Sequence, residues 1–162
     1  MDKTPKQQPT EISHLQMRAI QAPIAACLIK EFAKTVGFEK ALEVATVAIR
    51  SDALTAGKRM AEKLGSNTLK DLARLVREFW SKDDAMTVEF LVETEQNLHL
   101  NVTRCEYAEL YRKLGVLELG YCLSCSRDDP FVKGLNSQIQ LVRTQTIMQG
   151  AAYCDFRFIV CA

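Results

Sequence analysis

Histidine is scarce in this chain: only two occur, with a single tryptophan and seven glycines scattered over 162 residues. No glycine-rich phosphate loop, HExxH pair or GxSxG elbow is present, so nucleotide cofactors and serine hydrolysis have no support. No apolar run approaches the roughly 20 residues that span a bilayer. The first ten residues are polar, with no apolar core of secretory type, so a cytoplasmic location is the expectation and no membrane partner is implied. Charge of one sign is missing too. Twenty-one Lys and Arg face twenty Asp and Glu for a net +1, without a basic stripe, which argues against a nucleic-acid partner. What is abundant is apolar and cysteine content. Hydrophobic residues make up 48%, enough for one domain with its own core. In a reducing compartment, six cysteines (27, 105, 122, 125, 154, 161) are thiols and not a disulfide framework. By the same argument Asn101-Val-Thr103, a glycosylation sequon, carries no meaning.

Residues 1–10, rich in Lys, Gln and Pro, read as a flexible tail, and 11–162 as one α+β domain with a helical part over 11–80 and a sheet part over 86–162. Apolar spacing predicts a helix over 11–35, kinked or split by Pro23 and ended by Gly37. A second helix runs over 38–64 to Gly65, and a third over 68–80 behind Asn67 as N-cap. The period then changes to two. Alternating segments at 86–93 and 98–104 form a hairpin, helices follow at 106–114 and 117–125, and 128–131 starts one more turn. A final hairpin, 139–148 with 153–161, completes a four-stranded antiparallel sheet in the order β-β-α-α-β-β, covered by helices on one face.

The last hairpin places Arg143, Gln145, Asp155 and Arg157 near Cys154, a mixture suited to a small charged ligand. Alternation limits this idea. Cys154, Phe156 and Phe158 share one side of their strand and Asp155 and Arg157 the other. Either a bulge intervenes or Cys154 and Asp155 have different tasks. Likewise His99, Asn101 and Thr103 oppose Leu98, Leu100 and Val102. Cys105 stands where a strand hands over to a helix, where a helix N-terminus can lower a thiol pKa, so it is a candidate nucleophile. Cys122-Leu-Ser-Cys125 has CxxC spacing on one helical face, a weak zinc signal alone. Cys105, Cys125, Cys154 and Asp128 are a conceivable mixed site, but no metal or other cofactor is assigned. His14 is expected at the surface. His99 is a second-rank candidate base.

The span from Asn101 to Phe158 resembles the family named for L-2-amino-thiazoline-4-carboxylic acid hydrolase. The residues that carry it are Asn101-Val-Thr-Arg-Cys105-Glu-Tyr-Ala, Leu114-Gly115, Glu118-Leu-Gly120 and Ser124-Cys125-Ser-Arg127-Asp128. Gly134-Leu-Asn136, Arg143-Thr-Gln-Thr-Ile-Met and Cys154-Asp-Phe-Arg-Phe158 complete them. The N-terminal half agrees loosely, through Gly37, Ala41 and Gly57. The run Gly134-Leu-Asn-Ser137 departs from the family's Phe and Asn-Pro. A fainter likeness to 4-vinyl-reductase-type small-molecule-binding domains implies, as the alternative, a module that binds a small molecule or a metal without turnover. The closer resemblance implies hydrolysis of a C–N bond in a small cyclic amidine or amide. Cys105, Cys154, Asp128 and Asp155 are then the catalytic candidates. Asn101, Thr103, Cys125, Arg127, Asn136, Arg143, Thr144, Thr146 and Arg157 are the substrate-binding ones. The implied partners are a small-molecule substrate and further copies of the chain, since an open sheet has edges to cover.

Overall fold

The computed structural model describes residues 12–161; the expected tail and Glu11 lie outside them. The first helix, α1 (His14–Val36), opens with a capping box in which Ser13 and Gln16 exchange hydrogen bonds. It runs through Pro23 without splitting. Pro23 lies on the exposed side, where water can meet the carbonyl left unpaired four residues earlier. Gly37, at φ 85°, reverses the chain into α2 (Phe38–Leu64), which Gly65 closes in the left-handed conformation. The third helix, α3 (Leu69–Leu75), is capped by Thr68 with Asp71, one residue later than expected. Its end widens into a π-helical turn over Val76–Trp80.

Strands β1 (Met86–Glu93) and β2 (Asn97–Cys105) form the first hairpin. Three helices follow: α4 (Glu106–Lys113), α5 (Leu117–Leu123) and, after a short 3-10 turn, α6 (Asp128–Leu135). Residues 128–131, expected to make one turn, thus open an eight-residue helix. Strands β3 (Ile139–Val142) and β4 (Cys154–Val160) complete an antiparallel sheet in the order β1-β2-β4-β3. The fold class is the one the sequence implies. β3 is shorter than expected, because the Asp155 carboxylate accepts from the Thr144 and Gln145 amides and the Thr144 hydroxyl. Those bonds pull the chain off the ladder at Arg143, and residues 147–149 form a 3-10 turn behind Thr146.

Leu98, Leu100, Val102, Phe156 and Phe158 point from the sheet into one buried layer with Leu72, Val76, Val132 and Leu135 from the helices. A second buried cluster joins α1, α2, α4 and α5 through Ala22, Ala26, Ala41, Tyr111 and Leu119. Glycines set the closest approach. A Cβ on Gly57 would stand 2.0 Å from the Phe131 carbonyl oxygen, and one on Gly134 2.1 Å from that of Leu54. The backbones of α2 and α6 therefore touch. That contact fixes Asp128 and Phe131, on the first turn of α6, over the space between the two clusters. Among the described residues no helix is long and apolar enough to cross a membrane.

Candidate active site

A cavity of about 310 Å³ opens between α1, α2, α6 and the inner face of β2 and β4. Its floor is Val102, Cys105, Cys154 and Phe156 from the strands. Phe79, Trp80 and Phe131 form an aromatic wall, and Met17 and Met60 add to the apolar lining. Five charged side chains line it, Arg18, Arg127 and Arg143 against Asp52 and Asp128. Two pairs neutralise each other. Arg127 donates to Asp52 at 2.5 Å, and Arg143 is hydrogen-bonded to Asp128. Arg143 also donates to the Cys125 carbonyl at 2.9 Å and lies 4.8 Å over the Phe156 ring. These anchors leave one Asp128 oxygen without a hydrogen-bond partner among the described residues.

Arg18 is the fifth charge, 7% exposed and without a carboxylate partner among the described residues. Its guanidinium donates to Gln21 at 2.6 Å and to His14 Nε2 at 3.0 Å. An arginine only donates, so Nε2 carries the lone pair and Nδ1 the proton. Nδ1 then donates to the Tyr107 oxygen at 3.0 Å, and Tyr107 donates to the Trp80 carbonyl at 2.9 Å. Burial, then Arg18 and Arg127, lower the His14 pKa to about 3 and keep the ring neutral. Burial also lowers that of Arg18 to about 10. His14, expected at the surface, thus lines the cavity. The reason is tertiary: α1 folds back so that its first turn faces α4 and the end of the π-helical turn.

The thiols differ from expectation in protonation. Burial lifts the Cys105 pKa to about 11, against amide hydrogen bonds from Ala108 and Tyr107 that pull it down. The helix N-terminus is present, but desolvation outweighs it. Burial raises Cys125 and Cys154 as well, and the Cys154 sulfur accepts from the Ile147 amide at 3.2 Å. Burial likewise raises the Asp128 carboxyl against the pull of Arg143.

Of the expected site residues, Cys105, Cys125, Arg127, Asp128, Arg143 and Cys154 come together on this cavity. The others lie elsewhere. β2 and β4 pair in regular register from Asn97↔Ile159 to Val102↔Cys154, so no bulge brings Asp155 to the side of Cys154. Asn101 accepts from Arg157 at 3.0 Å on the far face of the sheet, and Arg157 also donates to the Leu100 and Phe156 carbonyls. Thr103 is exposed. Asp155 holds Thr144 and Gln145; burial would raise its carboxyl, but those hydrogen bonds win and lower it. Asn136 ends α6 and donates to the Asn67 carbonyl, and Thr146 is buried as the cap of the 3-10 turn. His99 sits on β2 with Nε2 buried and unbonded.

Cys122 and Cys125 do not share a face, because the helix breaks at Ser124, at φ −121° and ψ −72°. Cys122 turns to Thr46 of α2, whose hydroxyl donates to its sulfur at 3.2 Å. Among the described residues no group of three His, Cys, Asp or Glu side chains is arranged to hold a metal ion. Sequence reasoning missed Arg18, His14, Gln21, Asp52 and Tyr107. A signal existed for Arg18: a charge on the same helical stripe as Ala22, Ala26 and Ile29, four residues after a histidine.

The fold and cavity define an α+β domain with a partly open cavity of mixed apolar and cationic lining. Residues 17–158 match the family model described as L-2-amino-thiazoline-4-carboxylic acid hydrolase, and the chain belongs to that family. Among solved structures it is similar to the phenol-responsive sensory domain of the transcription activator PoxR, crystallised with phenol. The TM-score is 0.53 at 12% identity, covering 94% of this chain and 77% of that one. No curated protein matches the chain.

Proposed function

We propose that the chain is a hydrolase that opens a small carboxylate-bearing cyclic amidine, of the kind its family is named for. The observation that carries this reading is the charge count of the cavity. Three arginines against two aspartates, with His14 neutral, leave one buried cation to be matched by a ligand. Arg18 is that cation, and with two of its five N–H groups used it can hold a carboxylate through two parallel hydrogen bonds. The amidine end of the ligand then reaches towards Asp128.

High thiol pKa values favour water over a cysteine as the nucleophile. The free oxygen of Asp128 takes a proton from water as the water oxygen bonds to the amidine carbon and the C=N pair moves to the ring nitrogen. Return of that proton to the ring nitrogen lets the C–N bond break, its electron pair leaving with the nitrogen, while the remaining hydroxyl proton passes to Asp128 and on to the amine as the C=O forms. With a ring sulfur, the product is an S-carbamoyl thiol. Arg143 holds Asp128 in place and faces the developing charge.

The test is incubation with 2-aminothiazoline-4-carboxylate and mass spectrometry of the products. Wild type should release a carbamoyl product. Asp128→Asn should lower kcat by about 10²- to 10⁴-fold, while Cys105→Ala and Cys154→Ala keep most of it. A covalent adduct on either cysteine would overturn the water route.

A second reading, binding without turnover, is favoured by the apolar wall of Phe79, Trp80 and Phe131 and by the fold shared with a sensory domain. Under it, the same ligand would be retained unchanged by wild type.

A further inference from the structure

Helix α1 carries an apolar surface that no other described residue covers. Ile20, Ile24, Leu28, Phe32 and Val36 follow one another at four-residue spacing, each 50–66% exposed. Phe38 extends the row past Gly37, and α2 adds exposed Val44 and Val47. From Ala19 to Ile29 there is no charged side chain, although Ile20, Gln21, Pro23, Ile24, Cys27 and Leu28 are exposed. A solvated helix face carries charge.

We propose that this ridge is the contact between two copies of the chain, with α1 lying against α1 about a twofold axis. The area fits. Eight half-exposed apolar side chains amount to about 500 Å² of apolar surface per copy. A specific interface of standard size buries about 800 Å² per partner, and at the roughly 65% apolar share of homodimer contacts that is again about 500 Å². The charge pattern fits as well. Near a twofold axis each residue meets its own copy, so a charge there faces its like, and an uncharged stretch is self-complementary. A single row at i, i+4 is also the ridge that two helices interdigitate when they cross at about −50°.

Other surfaces fit a second copy less well. The far face of the sheet carries Glu89, Asn101, Asp155 and Arg157. An anionic bilayer would want free lysines beside the ridge. Here Lys30 is bound to Glu118 at 3.0 Å, Lys34 to Glu31 at 2.7 Å and Lys40 to Glu43 at 2.8 Å.

Sedimentation equilibrium of the full chain tests the proposal, read beside circular dichroism. Wild type should sediment at twice 18.2 kDa. Ile24→Glu with Leu28→Glu should weaken association by roughly 100-fold or more, since four buried like charges would meet, and leave the helical signal intact. Should that double variant lose helix, Leu28→Lys alone decides by the same two readings. Wild type sedimenting as a monomer, a folded charge variant that still dimerises, or a monomer that floats with phosphatidylserine vesicles would each overturn the proposal.

Discussion

A helix N-terminus next to a cysteine is a sequence signal for a reactive thiol, and Cys105 has that placement. The same residue lines the cavity, and burial costs its thiolate more than two amide hydrogen bonds return. The consequence is measurable. Iodoacetamide should label exposed Cys161 well before Cys105 at pH 8, and labelling of Cys105 should climb about tenfold per pH unit towards pH 11. Peptide mass mapping at several pH values checks this. A plateau in Cys105 labelling between pH 7 and 8 would mean a stable thiolate and would reinstate the covalent route. Placement along the chain is legible at this scale; desolvation is not, because it depends on which helices close over the strand end. Arg18 shows the reverse. That no carboxylate pairs directly with it among the described residues, although Asp52 and Asp128 act on it through space, is a three-dimensional fact, but a charge on the packing stripe of α1 already marks it as unusual.

Helices and strands were readable from period and punctuation: glycines 37 and 65 end the first two helices, and alternation sorts the faces of β2 and β4 correctly. The shared face of Leu98, Leu100 and Val102 with Phe156 and Phe158 needs nothing beyond the two-residue repeat. Three features did not follow from period. The break at Ser124 separates Cys122 from Cys125. The Asp155 hydrogen bonds end β3 early, and the π-helical turn brings Phe79 and Trp80 to the cavity. Each depends on side chains that satisfy backbone groups, which no hydrophobic pattern records. The glycine crossing of α2 and α6 gives a prediction at this scale. Gly134→Ala places a methyl 2.1 Å from the Leu54 carbonyl oxygen, a backbone atom that cannot swing away. The helices must part, at a cost of about 2–4 kcal/mol. Urea unfolding should show that loss, and turnover should fall further than the lost stability explains, because α6 carries Asp128. A variant with unchanged midpoint would mean that the two helices slide freely.

For the molecule as a whole, the groups buried at the cavity link folding to protons and, in the proposed function, to ligand. His14 is neutral in the fold, with a pKa of about 3 against 6.5 in the open chain. Between those values the unfolded chain binds the extra proton. Stability therefore rises with pH across this window and is lost as pH falls from 6.5 towards 3, by up to about 1.4 kcal/mol per pH unit. Unfolding midpoints in urea at pH 7, 5.5 and 4 should trace this slope, and His14→Gln should flatten it. In the proposed function, ligand acts through Arg18. Burying that cation without a directly paired carboxylate costs stability, which an anionic ligand would offset. A carboxylate ligand at 100 times its Kd adds about 2.7 kcal/mol, or roughly 5–10 °C of Tm for a chain of this length. Arg18→Met removes both effects, so its ligand-free Tm should hold or rise while the ligand-induced rise disappears. Scanning calorimetry of both proteins with and without 2-aminothiazoline-4-carboxylate separates the possibilities. A variant whose Tm drops equally in both conditions would make Arg18 a brace between His14 and Gln21. A variant that loses only the ligand response would make it the anchor for the substrate's carboxylate, held buried and unmatched until substrate arrives.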